Sequence, residues 1–90
     1  MLVAILHQVH EESVTHMGPG DFIVLSETLE LRKQVEADFF AILACPQCGN
    51  LDLITRPQFG GMETVICGHD NCSCHFRIID EARLIFLPVN

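Results

Sequence analysis

Five cysteines, all of them inside CPQCG (45–49) and ICGHDNCSCHF (66–76), constrain the fold of this 90-residue chain more than any other feature. Cys45 and Cys48 are separated by two residues and followed by Gly49. Two thiolates at that spacing chelate one ion, and the glycine permits the tight backbone turn that such a knuckle needs. Eighteen residues separate Cys48 from Cys67 (49–66), enough for a hairpin to return a second pair, Cys67-x4-Cys72. That arrangement is close to the double-knuckle spacing of tetrahedral thiolate sites, which points to one structural Zn²⁺ per chain.

The second pair has competing solutions. Cys67 with Cys72 completes a four-thiolate set of Cys45, Cys48, Cys67 and Cys72, the expected ligands, because sulfur dominates structural zinc sites. His69 with Cys72 restores a two-residue spacing and gives a Cys3His set. A set using Cys74 is the third option, although strand geometry makes it hard for a Cys-x-Cys pair to bring both thiols to one ion. Spare thiols read as small apolar core residues. Fe²⁺ also accepts tetrahedral thiolates, so spacing leaves zinc and iron both open.

Elsewhere the pattern is α+β. Residues 1–9 read as an apolar strand, 10–20 as polar and turn residues ending in Gly18-Pro19-Gly20, and 21–26 as a second strand expected to pair antiparallel with the first. Ser26 reads as an N-cap, with Glu27 and Glu30 in the first turn of a helix. Leu31, Val35, Phe39 and Ile42 or Leu43 then recur at helical spacing, and Pro46 ends the helix near Ala44. Residues 51–55 and 62–67 read as strands flanking Gly60-Gly61, and 75–79 and 83–87 as a further hairpin around Asp80-Glu81-Ala82. The expected architecture is an N-terminal strand pair and one helix (1–44) packed as one compact unit on a strand-rich, cysteine-bearing segment (45–90).

At the cysteines the chain resembles the zinc-ribbon superfamily. CPQCG is similar to a first ribbon knuckle, and CGHDNCSCHF to the second knuckle of Ogr/Delta-type phage late-gene activators, with Cys67, Cys72 and Phe76 in the matching places and Ser73-Cys74 where Gly-His is usual. The likeness covers the second half only. It implies a C-terminal ribbon of short antiparallel strands and, for function, a nucleic-acid-associated transcription accessory factor.

Charge bears on that implication. Net charge is −7, with seven acids against Arg32 and Lys33 in residues 1–44 and five acids against Arg56, Arg77 and Arg83 in residues 45–90. Neither half offers a basic stripe for phosphate, and three arginines in an acidic chain read as solvated strand positions. MLVAIL has no basic flank or cleavage site, and is too short to span a membrane, so a cytoplasmic home with reduced cysteines is the expectation. An odd cysteine count weakens a disulfide framework, a helix ending at Cys45 is the wrong context for a redox pair, and four thiolates leave no open position for hydrolytic zinc, despite His69, Asp70 and His75 nearby. His7, His10 and His16 with Glu11 and Glu12 read as solvated, not as a second metal site. Phe39-Phe40 reads as one ring packed inward and the other covering the ribbon. The sequence thus favours a non-enzymatic protein-interaction or adaptor module that binds a protein through its acidic surface or a sheet edge. The same edge offers a route to a homodimer.

Overall fold

The computed structural model describes residues 3–9, 16–27, 32–33, 35–80 and 83–87. Strands dominate. They are β1 (Val3–Ile5), β2 (His7–Gln8), β3 (Asp21–Val24), β4 (Phe39–Ala44), β5 (Leu51–Thr55), β6 (Val65–Ile66), β7 (His75–Asp80) and β8 (Arg83–Leu87), with a 3-10 turn at Leu25–Glu27 and a one-turn helix, α1 (Arg56–Phe59). They form two four-stranded sheets, ordered β1-β8-β7-β6 and β2-β3-β4-β5. Each sheet therefore draws strands from both sides of Cys45.

The sheets share one core. Phe22, Val24, Ala41, Leu43 and Ile54 from one sheet meet Val65, Phe76, Ile78 and Leu84 from the other, with Leu6 at the crossing between β1 and β2. Alternation along β7, with Phe76 and Ile78 buried and Arg77 and Ile79 exposed, is that of a strand with one wet face. β3 differs: Phe22, Ile23 and Val24 are all buried, so that strand is covered on both faces. No helix among the described residues is long and apolar enough to cross a membrane.

The α+β class holds, and Arg32 and Lys33 of the expected helix are helical, but that helix does not run on to Cys45. The sequence places it over 27–44, whereas Phe39–Ala44 is a strand paired with β3 and β5. FFAILA is a short apolar run, and periodicity alone cannot tell a buried strand from one face of a helix. Arg32 reinforces the turn into that strand: its guanidinium donates to the carbonyls of Phe39 at 2.6 Å, Val35 at 3.3 Å and Glu36. Leu31 and Glu30, which belonged to the expected helix, lie outside the described residues, and Ser26 sits inside the 3-10 turn.

The helix at Arg56–Phe59 uses a signal at Thr55-Arg56-Pro57-Gln58. Thr55 Oγ1 accepts the Gln58 N–H at 3.3 Å, and Gln58 Oε1 accepts the Thr55 N–H at 2.9 Å, a reciprocal capping box. Gly60-Gly61 follows this helix instead of forming a two-residue hairpin turn, and only Val65–Ile66 of the expected 62–67 strand pairs. The first two elements also pair differently. The chain changes sheets at Leu6, so β1 pairs antiparallel with β8, and β2 pairs parallel with β3. The β7–β8 hairpin forms as the sequence predicts.

Candidate metal centre

Two hairpins deliver the cysteines. CPQC forms the connection between β4 and β5, and residues 67–74 form the connection between β6 and β7. In the first turn the Gly49 N–H donates to the Cys45 carbonyl at 2.8 Å and the Cys45 N–H to the Asn50 carbonyl at 2.8 Å. Gly49 has φ +82°, the left-handed backbone that a side chain resists. In the second turn the N–H groups of Cys72 and Ser73 both reach the His69 carbonyl, and the Cys67 N–H closes onto the Cys74 carbonyl, each at 2.9 Å.

The Sγ atoms of Cys45, Cys48, Cys67 and Cys72 lie within 4.8 Å of one another, and among the described residues they form the one group of its kind. Opposite edges of the group cross between the hairpins. Cys45 to Cys72 is 3.8 Å, and Cys48 to Cys67 is 3.6 Å. A tetrahedron with metal–sulfur bonds of about 2.3 Å has edges of about 3.8 Å, so the cluster is already the size of a metal's coordination sphere.

Backbone donors mark the same four sulfurs. Gln47 N–H points to Cys45 Sγ at 3.4 Å and His69 N–H to Cys67 Sγ at 3.5 Å. The backbone N–H of Asn50 serves Cys48, and that of Cys74 serves Cys72. Each donor comes from the residue two positions on. The Cys74 N–H brings the Cys72 thiol down to about 7 against the pull of burial. Burial pushes the Cys67 thiol up to about 12, with the His69 N–H opposing it. Burial first, then the neighbouring Cys45 and Cys72, push Cys74 far above the ordinary thiol value. A divalent cation bound to the four sulfurs would hold all of them as thiolates, because metal ligation displaces the protons.

The competing ligands are placed otherwise. His69 is exposed and its Nδ1 accepts the Asn71 N–H at 3.2 Å, which commits that nitrogen to the turn. Cys74 Sγ is 3.5 Å from Cys45 but is outside the four-sulfur group. His75 sits on β7 opposite Leu87. His7 and His16 are exposed, and His10, Glu11 and Glu12 lie outside the described residues. Phe40 packs against Phe59, with centroids 5.0 Å apart, under the Arg56 guanidinium, at 4.4 Å, and not over the cysteines.

Sequence reasoning missed Asp52. Its Oδ2 accepts the Gly68 N–H at 3.1 Å and the Asn50 side-chain amide at 3.3 Å, tying the second knuckle to the strand that leaves the first. The available signal was an acid at an inward position of LDLIT, four residues after Cys48. The cluster can hold a metal ion, which would join the two hairpins that this carboxylate also ties. No protein-family model, curated protein or solved structure matches the chain.

Proposed function

We propose that this chain is a small non-enzymatic protein-interaction module whose fold is stapled by structural Zn²⁺ on Cys45, Cys48, Cys67 and Cys72. The observation that carries the reading is the four-sulfur group itself, contributed equally by two hairpins and served sulfur by sulfur by backbone N–H donors. Two hairpins each presenting a knuckle also suit the ribbon resemblance. Such a metal supplies folding energy on the order of 10 kcal/mol or more, comparable with the whole stability of a small domain. Four thiolates saturate a tetrahedral ion and leave no position for a substrate or water, which favours a structural role over a hydrolytic one.

The interaction half of the reading rests on the outer face of the β1-β8-β7-β6 sheet. Strand register puts Val3, Ile85 and Arg77 in one row across it, and Leu87, His75 and Ile66 in another. Val3 is 53% exposed, Ile5 63% and Ile66 56%, a density of wet apolar side chains that marks contact surfaces. On the same face Arg83 is paired with Asp80 at 2.8 Å, which leaves little positive charge for phosphate and favours a protein partner over nucleic acid.

Native mass spectrometry with and without a chelator tests the metal half. One zinc per chain, lost together with folded structure, is the expected result; a folded, metal-free chain with paired cysteines overturns it, and visible thiolate-to-metal absorption would replace zinc with iron. The interaction half is tested with an Ile5→Lys/Ile66→Lys variant that stays folded and metal-loaded. A protein bound by the wild type and released by that variant is expected, and identical binding by the two sinks the face as the contact surface.

A further inference from the structure

A tetrahedral ion uses four of the five thiols and leaves Cys74 without a role. Its Sγ is nevertheless 3.5 Å from Cys45 Sγ, closer than the 3.8 Å between Cys45 and Cys72, and its side chain also touches that of Cys72. Ser73 between them has φ +46°, the one non-glycine residue with positive φ among the described residues. That left-handed step curls the chain and keeps both flanking cysteines at the cluster. The Ser73 hydroxyl holds the curl by donating to the carbonyls of His69 at 3.3 Å and Asp70 at 3.4 Å. Cys74 itself is half-buried against the shared core.

We propose that Cys74 is a resolving thiol, placed to form a disulfide with an oxidised neighbour in the metal site, Cys72 or Cys45, so that a peroxide releases the ion reversibly. The inference rests on the four-cysteine ligand reading. With those four sulfurs engaged by an ion, Cys74 is the free sulfur within contact of the site. Of the two sulfurs beside Cys74, Cys45 is buried and Cys72 half-exposed, so a dissolved peroxide reaches Cys72 before Cys45. The exposed Cys48 is the competing entry point, and its neighbour is Cys67 at 3.6 Å. The Cys72 thiolate sulfur forms a bond to one peroxide oxygen, the O–O bond breaks, and the departing hydroxide takes a proton from solvent and leaves as one water, giving a sulfenic acid. The Cys74 sulfur then attacks the sulfenic sulfur; an S–S bond forms, the S–O bond breaks, and hydroxide leaves with the Cys74 proton as a second water. One thiolate and one thiol lose two electrons to one peroxide, and one solvent proton is taken up. Three thiolates remain for the ion, whose affinity falls accordingly. A dithiol reductant returns the two electrons and restores the set.

The test treats the zinc-loaded full chain with hydrogen peroxide, reads released zinc with a chromogenic chelator, and maps disulfides by alkylation and peptide mass spectrometry. The wild type is expected to release zinc with a disulfide that contains Cys74, and to rebind zinc after dithiol reduction. Cys74→Ser, and Cys74→Ala as a second form, are expected to load zinc normally. After peroxide, the share of either variant that recovers on reduction should fall on the order of tenfold, because an unresolved sulfenic acid proceeds to sulfinic acid. A wild-type disulfide joining Cys48 to Cys67, or variants that release and recover zinc as the wild type does, overturns the proposal. A wild type that carries no metal before any peroxide is added fails the ligand reading instead, so the two failures are distinguishable.

Discussion

The Gly68 N–H and the Asp52 carboxylate, 3.1 Å apart, form a polar tie between the two cysteine-bearing hairpins. Gly68 directly follows Cys67, so Asp52 fixes the backbone at the base of the second knuckle. A Cβ at residue 68 would sit 2.9 Å from Asp52 Oδ1, and the contact therefore depends on glycine. Asp52→Ala is expected to cost about 1 kcal/mol of stability, the worth of a hydrogen bond that water can partly replace. It should also raise the zinc dissociation rate by about tenfold, as loss of an outer partner does. Asp52→Asn, which keeps an acceptor oxygen, should recover most of both. Competition with a chelator measures the first effect on metal and thermal melting the effect on fold; a wild-type exchange rate in Asp52→Ala would show the tie to be incidental.

Ligand substitutions should divide four to one. Cys45→Ser, Cys48→Ser, Cys67→Ser and Cys72→Ser each remove a sulfur of the clustered set, and each is expected to reduce zinc affinity by more than the roughly tenfold to hundredfold that outer partners are worth. Loss of the ion should unfold the second half, seen as collapsed amide dispersion for residues 45–80. Cys74→Ser should remain folded with one zinc. Retention of zinc by Cys67→Ser together with its loss from Cys74→Ser would reassign the set.

The knuckles were legible because a chelate spacing and a following glycine state their geometry locally, and the same holds for the β7–β8 hairpin. Four other features were not. Phe39–Ala44 carries an apolar run that helix and strand satisfy equally, and the strand wins because β3 and β5 flank it on both sides. The parallel pairing of His7 with Asp21 depends on a change of sheet at Leu6 that no local pattern announces. The helix at Arg56–Phe59 was written in the sequence as Thr55-x-x-Gln58, but the neighbouring Gly60-Gly61 offered a competing hairpin reading. Asp52 escaped notice because a single acid in a strand gains meaning only when the second knuckle folds over it.

Thiol chemistry after metal removal should be ordered by environment. The Cys74 N–H brings Cys72 down to about 7, while burial takes Cys67 up to about 12 and Cys74 higher still. In a short iodoacetamide pulse at neutral pH, given as a chelator strips the metal and before the second half unfolds, Cys72 should be alkylated before Cys67 and Cys74, because the thiolate is the nucleophile. The stability contributions run in opposite directions. That of Cys72, whose folded value is depressed, is complete above the ordinary thiol value of 9.0 and is lost as pH falls through about 7. That of Cys67, whose folded value is raised, is complete below 9.0 and is lost as pH rises through about 12. Peptide-resolved alkylation over time measures the order, and equal rates at the three positions would contradict it.

Core and metal should prove separable contributions to one fold. Phe76 is 1% exposed, pairs across β6 with Val65, and sits two residues beyond Cys74 in the core that joins the sheets. Phe76→Ala removes about 3–5 kcal/mol, the usual cost of deleting a buried aromatic ring. The metal's share, on the order of 10 kcal/mol or more, is larger, so the zinc-loaded variant is expected to stay folded with a lowered melting temperature. Adding a chelator should then unfold it at concentrations that leave part of the wild type structured, because the remaining core is smaller. Circular dichroism during chelator titration separates the outcomes. A zinc-loaded Phe76→Ala protein that is already unfolded would place the core, and not the metal, as the larger contribution to stability.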